Sequence, residues 1–371
     1  MRIGIYTIHA VNNYGAMLQA YATQKFLQKN DIDAEIVNVF PHRSLQNIKY
    51  RFGWASPKMV VKSVLAFISP KIRKKSNRFM DFHQSMNLSK RYFSSEEVFQ
   101  NPPSYDIHLV GSDQVWNIER GFPQKSVYFL EFLEESQKRI AYAPSMGTSS
   151  ISESLFPQLE KVLAPFSFIG VRERKTAGLL AEITGKEVVN VVDPTFLLSA
   201  EEWMEETGKD PIVKGEYILY YGFSKREESR EIIATLKELL RMPVVAITGN
   251  ITLPYRVDTF CQDAGPREFL NIFRNASYVI TSSFHGTAFS LIFRRNFFVI
   301  RDNPRVERME SLLASFGIGG RIVSSKEELM SKYKDCPEID YAEHENKMEK
   351  YISFSKEWLL TAIRRTNKVY E

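Results

Sequence analysis

The chain of 371 residues has only two cysteines, Cys261 and Cys336, far apart and with no second cysteine at ligand spacing. That excludes a disulfide framework and a thiolate zinc site, and it fits a reducing cytoplasm. No run of about 18 apolar residues occurs, so no segment reads as a membrane-spanning helix. The opening MRIGIYTI reads as a strand rather than a secretory leader. A Walker loop, a complete GxGxxG, HExxH, CxxC and a GxSxG elbow are all missing, which removes the commonest nucleotide, metal and serine-nucleophile chemistries. No cofactor or metal is called for.

One unit recurs throughout: a short apolar strand, a polar loop, then a segment with helical period. IGIYTI, AEIVNVF, DIHLVGS, RIAYAPS, FSFIGVR and VVNVVDP supply strands in the first half, and YILYYGF, PVVAITG, SYVITSS and FFVIRD in the second. Strands rich in Val, Ile and Tyr that alternate with helices predict an α/β protein with parallel sheets covered on both faces. The expected organisation is two Rossmann-like domains, residues 1–195 and 215–340, joined by a crossover over 196–214. Ser199 with Glu202 three residues later marks a capping box in that crossover. Residues 341–371 read as one amphipathic helix packing back across both domains.

The net charge of +5 is unevenly placed. Arg43 to Arg91 holds twelve Lys/Arg and one acid, Asp81, so it carries about +11 and leaves about −6 elsewhere. With its aromatic residues, this stretch is either a solvated face of helices or a peripheral contact with an anionic membrane surface. No nucleic-acid module surrounds it, so no nucleic-acid partner is expected.

In open parallel sheets, ligands bind beyond the carboxyl ends of the strands. The polar residues that follow the strands there include Asn12, Asn13 and Gly15; Ser112 and Asp113; Ser145; Arg172 and Arg174; Asp193; Ser282, Ser283 and His285; and Arg301. Cations, one histidine and small residues suit an anionic small molecule. His285 stands at a strand-to-helix turn, where Gly286 and Thr287 open a helix whose free N–H groups attract phosphate or carboxylate. It either trades a proton or merely caps its turn. Arg172 is either a bidentate anion ligand or half of an ion pair with Glu173. Asp113 either orients a sugar hydroxyl or forms a turn, and Trp116 offers a face on which a sugar ring could stack. Asp193-Pro194 reads as structural.

These stretches, in order, resemble a known family. IGIYTIHAVNNYGAMLQAYA, GSDQVWN, YAPSMG, VRERKTAGLL, VVDPTFLL, ITSSFHGTAFSLIF and VERMESLLASFGI are similar to polysaccharide pyruvyl transferases across most of the chain. The resemblance implies a fold like that of two-domain GT-B glycosyltransferases. It also implies transfer of a pyruvyl group from phosphoenolpyruvate to a saccharide, as a cyclic ketal, in capsule, cell-wall or exopolysaccharide synthesis. His285 would then be the acid and Asp113 a further catalytic group. The donor would be held by Arg172, Ser283, Gly286, Thr287, Arg301 and Arg308, with Asn12, Asn13, Gly15 and Trp116 lining the N-domain side of the cleft. If the acceptor is lipid-linked, the basic stretch would hold the enzyme at the inner face of the membrane. The family's late motif often reads Ser-Arg-Leu-His, whereas this chain reads Ser282-Ser283-Phe284-His285. Ser283 replaces a donor-holding arginine, and Arg294, Arg295, Arg301 and Arg308 are candidates to compensate. Two rivals remain open: a GT-B-type glycosyltransferase using a nucleotide sugar, and a non-catalytic glycan-binding relative.

Overall fold

The computed structural model describes residues 1–39, 69–118, 126–147, 151–222, 224, 226–248, 256–301 and 306–368. Six strands form the first sheet: β1 (Arg2–Tyr6), β2 (Asp33–Ile36), β3 (Ile107–Val110), β4 (Arg139–Tyr142), β5 (Phe166–Val171) and β6 (Val188–Asn190). Six more form the second: β7 (Ile218–Tyr221), β8 (Val244–Ile247), β9 (Thr259–Phe260), β10 (Tyr278–Thr281), β11 (Asn296–Ile300) and β12 (Ile322–Val323). Both sheets are parallel throughout, in the orders β2-β1-β3-β4-β5-β6 and β12-β11-β10-β7-β8-β9. Their central strands are buried from end to end, which is why they read as continuous apolar runs rather than alternating ones.

The two halves are fastened by aromatic packing. Tyr14, at the start of the helix Tyr14–Lys29, stacks on Phe269 at 4.6 Å and donates its hydroxyl to the Ala264 carbonyl at 2.7 Å. The 28-residue helix Tyr341–Lys368 crosses from one half to the other. Near its start, the Tyr341 hydroxyl donates to the Arg295 carbonyl at 2.7 Å. Further along, Ser355 accepts from the Val192 N–H at 3.0 Å. Trp358 then lies against Gly170, where an added Cβ would come within 2.7 Å of its ring.

Part of the basic stretch turns toward the second domain. Residues 43–68 lie outside the described residues. In the helix Pro70–Gln84, Lys74 and Arg78 pair with Asp263 at 3.1 and 3.2 Å, and Arg78 also pairs with Glu268 at 3.1 Å. Lys75 is buried and donates to the Thr248 carbonyl at 2.8 Å, and burial brings its ammonium down to about 8. These three cations are used between the two halves because the second domain presents carboxylates and strand-end carbonyls to them. Among the described residues no helix is long and apolar enough to cross a membrane.

Candidate functional site

Each sheet has one point where the strand order reverses: between β1 and β3 in the first, and between β7 and β10 in the second. Loops diverge there and leave a crevice at the carboxyl ends of the strands. In this chain the two crevices face each other and touch. Gly15 lies against the His285 imidazole so closely that an added Cβ would stand 1.9 Å from Nδ1. The glycine at the top of the first strand is therefore required by a side chain of the other half.

Behind that contact sits Asp193, fully buried. Its Oδ1 accepts from the Thr195 N–H at 3.0 Å and the Thr195 hydroxyl at 2.8 Å. Its Oδ2 accepts from Ser112 Oγ at 3.0 Å and Arg172 Nη1 at 2.8 Å, and lies 3.7 Å from His285 Nε2. Burial alone would raise this carboxyl, but His285, Arg172 and the Thr195 N–H outweigh it and hold the group well below the usual carboxylate range. Arg172 is buried as well. Burial works against its charge, and the carboxylates of Glu173, Asp193 and Asp113 overcome that. Its Nε donates to Glu173 Oε1 at 3.2 Å, while Nη2 has no hydrogen-bond partner among the described residues.

Next to this network opens a cleft of about 250 Å³ between the halves. Gly147, Glu173, Arg174 and Lys175 line it from the first domain, and Glu307, Arg308 and Ser311 from the second. The Phe284 ring faces two guanidinium groups, with Arg172 Cζ 4.1 Å and Arg308 Cζ 5.9 Å from its centroid. Arg308 in the cleft wall and the buried Arg172 behind it give the site two guanidinium groups, and His285 stands beside a fixed carboxylate.

The expected residues are only partly brought together. Arg172, His285, Gly15 and Arg308 converge. Asp113 stands at the first switch point with φ +72°, partly exposed, and accepts from the Gln114 N–H at 2.9 Å, so it shapes its own turn. Asn12 lies in the loop ahead of the helix; Asn13 caps it, its side chain accepting from the Ala16 N–H at 3.3 Å. Trp116 is fully buried, stacked on Phe129 at 6.0 Å and donating to the Tyr128 carbonyl, so its ring has no face free for a sugar. Gly286 serves packing rather than ligand approach, since an added Cβ would stand 2.0 Å from Thr281 Oγ1. Thr287 is buried and hydrogen-bonds the Ser283 carbonyl at 3.2 Å, and Ser283 is the N-cap residue of that helix. Arg301 pairs with Glu310 at the surface. Of the other cations, Arg294 pairs with Glu345, and Arg295 donates to the Phe293 and Ala276 carbonyls. Ser112, Ser145 and Asp193 stood among the strand-end residues but were given no part in the expected site, and Glu173 was named only as an ion-pair partner of Arg172. All four lie just past a parallel strand.

No curated protein matches the chain. Among solved structures, UDP-GlcNAc 2-epimerase from Neisseria meningitidis bound to UDP-GlcNAc is similar at TM-score 0.53 and 10% identity, covering 98% of this chain and 100% of that one. The same enzyme from Rickettsia bellii is similar at TM-score 0.53 and 10% identity, over 100% and 99%. That from Methanocaldococcus jannaschii in complex with UDP-GlcNAc and UDP gives 0.52 and 13%, over 90% and 92%. These likenesses establish the GT-B-like fold of two Rossmann domains. The family model described as Polysaccharide pyruvyl transferase matches residues 13–304, which spans both switch points, Arg172, Asp193 and His285. The chain belongs to the polysaccharide pyruvyl transferase family.

Proposed function

We propose that the protein transfers a pyruvyl group from phosphoenolpyruvate to a saccharide and closes it as a cyclic ketal, in the cytoplasmic assembly of a capsular, cell-wall or exopolysaccharide. The observation that carries this reading is the meeting of Arg172, with its uncommitted Nη2, Arg308 and His285 where the two switch points face each other. Phosphoenolpyruvate has a carboxylate and a phosphate; Arg172 offers its remaining Nη2 to one and Arg308 offers its guanidinium to the other. Arg308 takes the place of the arginine that the family often carries at the position of Ser283. Of the four cations considered, it is the one lining the cleft.

In the reaction, His285 as imidazolium gives its proton to the methylene carbon, and the C2=C3 electron pair becomes the new C–H bond. Positive charge develops at C2, where a sugar oxygen bonds. Phosphate leaves with its C–O pair, and a second hydroxyl closes the ketal. The buried Asp193 carboxylate faces the imidazolium, and the network holding Asp193 fixes both groups before the donor arrives. General acid catalysis of this kind contributes about 10²–10⁴-fold.

Isothermal titration with phosphoenolpyruvate and with UDP-GlcNAc, on wild type and Arg308→Ala, tests the donor. Phosphoenolpyruvate should bind wild type and lose roughly tenfold or more in the variant, as expected for a charge-assisted hydrogen bond. Binding of UDP-GlcNAc alone would overturn the reading and make the protein a nucleotide-sugar enzyme.

A further inference from the structure

We propose that Glu173 is the general base for the acceptor: its Oε2 receives a hydroxyl of the incoming hexopyranoside and takes that hydroxyl's proton. This rests on the pyruvyl-transfer reading and adds the acceptor side of the same site. Glu173 is buried yet lines the cleft. Its two oxygens are in different situations. Oε1 accepts from Ser145 Oγ at 2.7 Å and from Arg172 Nε at 3.2 Å. Oε2 has no hydrogen-bond partner among the described residues. A buried carboxylate oxygen left in that state is costly, and an ionised carboxylate only accepts. The matching ligand group is therefore a donor. Phosphoenolpyruvate in its ionised form carries acceptors and negative charge, so it does not satisfy Oε2, whereas a sugar hydroxyl does.

The other carboxylates of the region each have partners in the protein. Both Asp193 oxygens accept hydrogen bonds from protein. Glu307 and Glu310 pair with Lys175 and Arg301 at the surface. Asp113 is engaged in its own turn. Ser145 and Arg172 hold one end of the Glu173 carboxylate, so the other is fixed before the acceptor arrives. In the step itself, the hydroxyl proton passes to Oε2 and the O–H pair becomes the new bond to C2. The second hydroxyl forms the second C–O bond, and its proton leaves with the departing phosphate.

Glu173→Gln tests the assignment without removing the structural contacts. The amide oxygen can still accept from Ser145 and Arg172, while an NH₂ donor replaces the Oε2 acceptor. The assay follows phosphate release and ketal mass with phosphoenolpyruvate and a panel of 4-nitrophenyl hexopyranosides, alongside titration with phosphoenolpyruvate alone. Donor affinity should stay within about twofold, while kcat falls roughly 100-fold or more. Unchanged kcat in Glu173→Gln, or an equal loss in Asp113→Asn with none in Glu173→Gln, overturns the proposal. So does a wild type that binds the donor and turns over no hexopyranoside on the panel. Failure of wild type to bind phosphoenolpyruvate at all would instead remove the reading on which the proposal rests.

Discussion

Substituting Gly15 by alanine perturbs the contact on which the two halves meet. The new methyl carbon would stand 1.9 Å from His285 Nδ1, 2.3 Å from Cγ and 2.5 Å from Cε1. Heavy atoms pack at about 3.5 Å, so the imidazole has to retreat by roughly 1.5 Å. It has little room to do so, being buried with Phe284 edge-on at 5.3 Å and Asp193 at 3.7 Å. Overpacking of this kind costs about 1–3 kcal/mol. Alanine's better helix propensity returns up to about 1 kcal/mol. The net loss of stability is then at most about 3 kcal/mol, less than the ~5–15 kcal/mol that holds a typical protein folded. Catalysis is more sensitive, since a displacement of about 1 Å costs on the order of 100-fold. The expected outcome is a modestly lowered melting temperature, retained phosphoenolpyruvate affinity, and turnover down about 100-fold in a phosphate-release assay at saturating donor. Gly178→Ala is the control: it lies within the helix Arg174–Thr184 with nothing near its added Cβ, so it should be neutral or stabilising with normal turnover. Turnover of Gly15→Ala within threefold of wild type would refute the argument.

Arg172→Ala strips the buried carboxylates Asp193 and Glu173 of their cation and should cost about 3–5 kcal/mol by urea denaturation; a loss under 1 kcal/mol would show that the network does not need it. His83 is pulled down to about 3, first by burial and then by His9 and Arg91. Its folded value lies below the ordinary ~6.5, so the neutral side chain contributes fully above that pH and the contribution is lost as pH falls toward 3. His83→Gln should flatten the stability profile in that window by up to about 1.4 kcal/mol per pH unit, and an unaltered slope would count against the burial argument.

The sheets were legible because both faces of a parallel strand are covered, and DIHLV or YVIT then spells an uninterrupted apolar run. The strand-end rule also found Arg172 and His285, because chain direction alone puts such residues at the crevice. The full set of contacts around Asp193 was not legible for a physical reason. Its partners Ser112, Arg172 and His285 come from distant parts of the chain, and only folding assembles them, while Asp-Pro by itself looks like a turn. Trp116 carries a similar ambiguity, since an indole beside a strand end can face a ligand or the core, and the rings of Phe129 and Phe166 decide for the core. In the helix Pro70–Gln84, the charge count alone does not reveal that Lys74 and Arg78 are met by Asp263 and Glu268, which lie nearly 200 residues further on.

The helix Tyr341–Lys368 also bears on how the molecule is made. Trp358 lies over Gly170 between Tyr142 and Phe168, and Ser355 completes the backbone hydrogen bonding of Val192. The first sheet therefore receives part of its cover from residues synthesised after the whole second domain has emerged. Domains generally fold as units and in order during synthesis. In that order the first domain has been made before the helix that covers its Gly170 flank, and the same helix also reaches the second domain through Tyr341. The last cover of the amino-terminal sheet thus comes from the far end of the chain, made after both walls of the cleft.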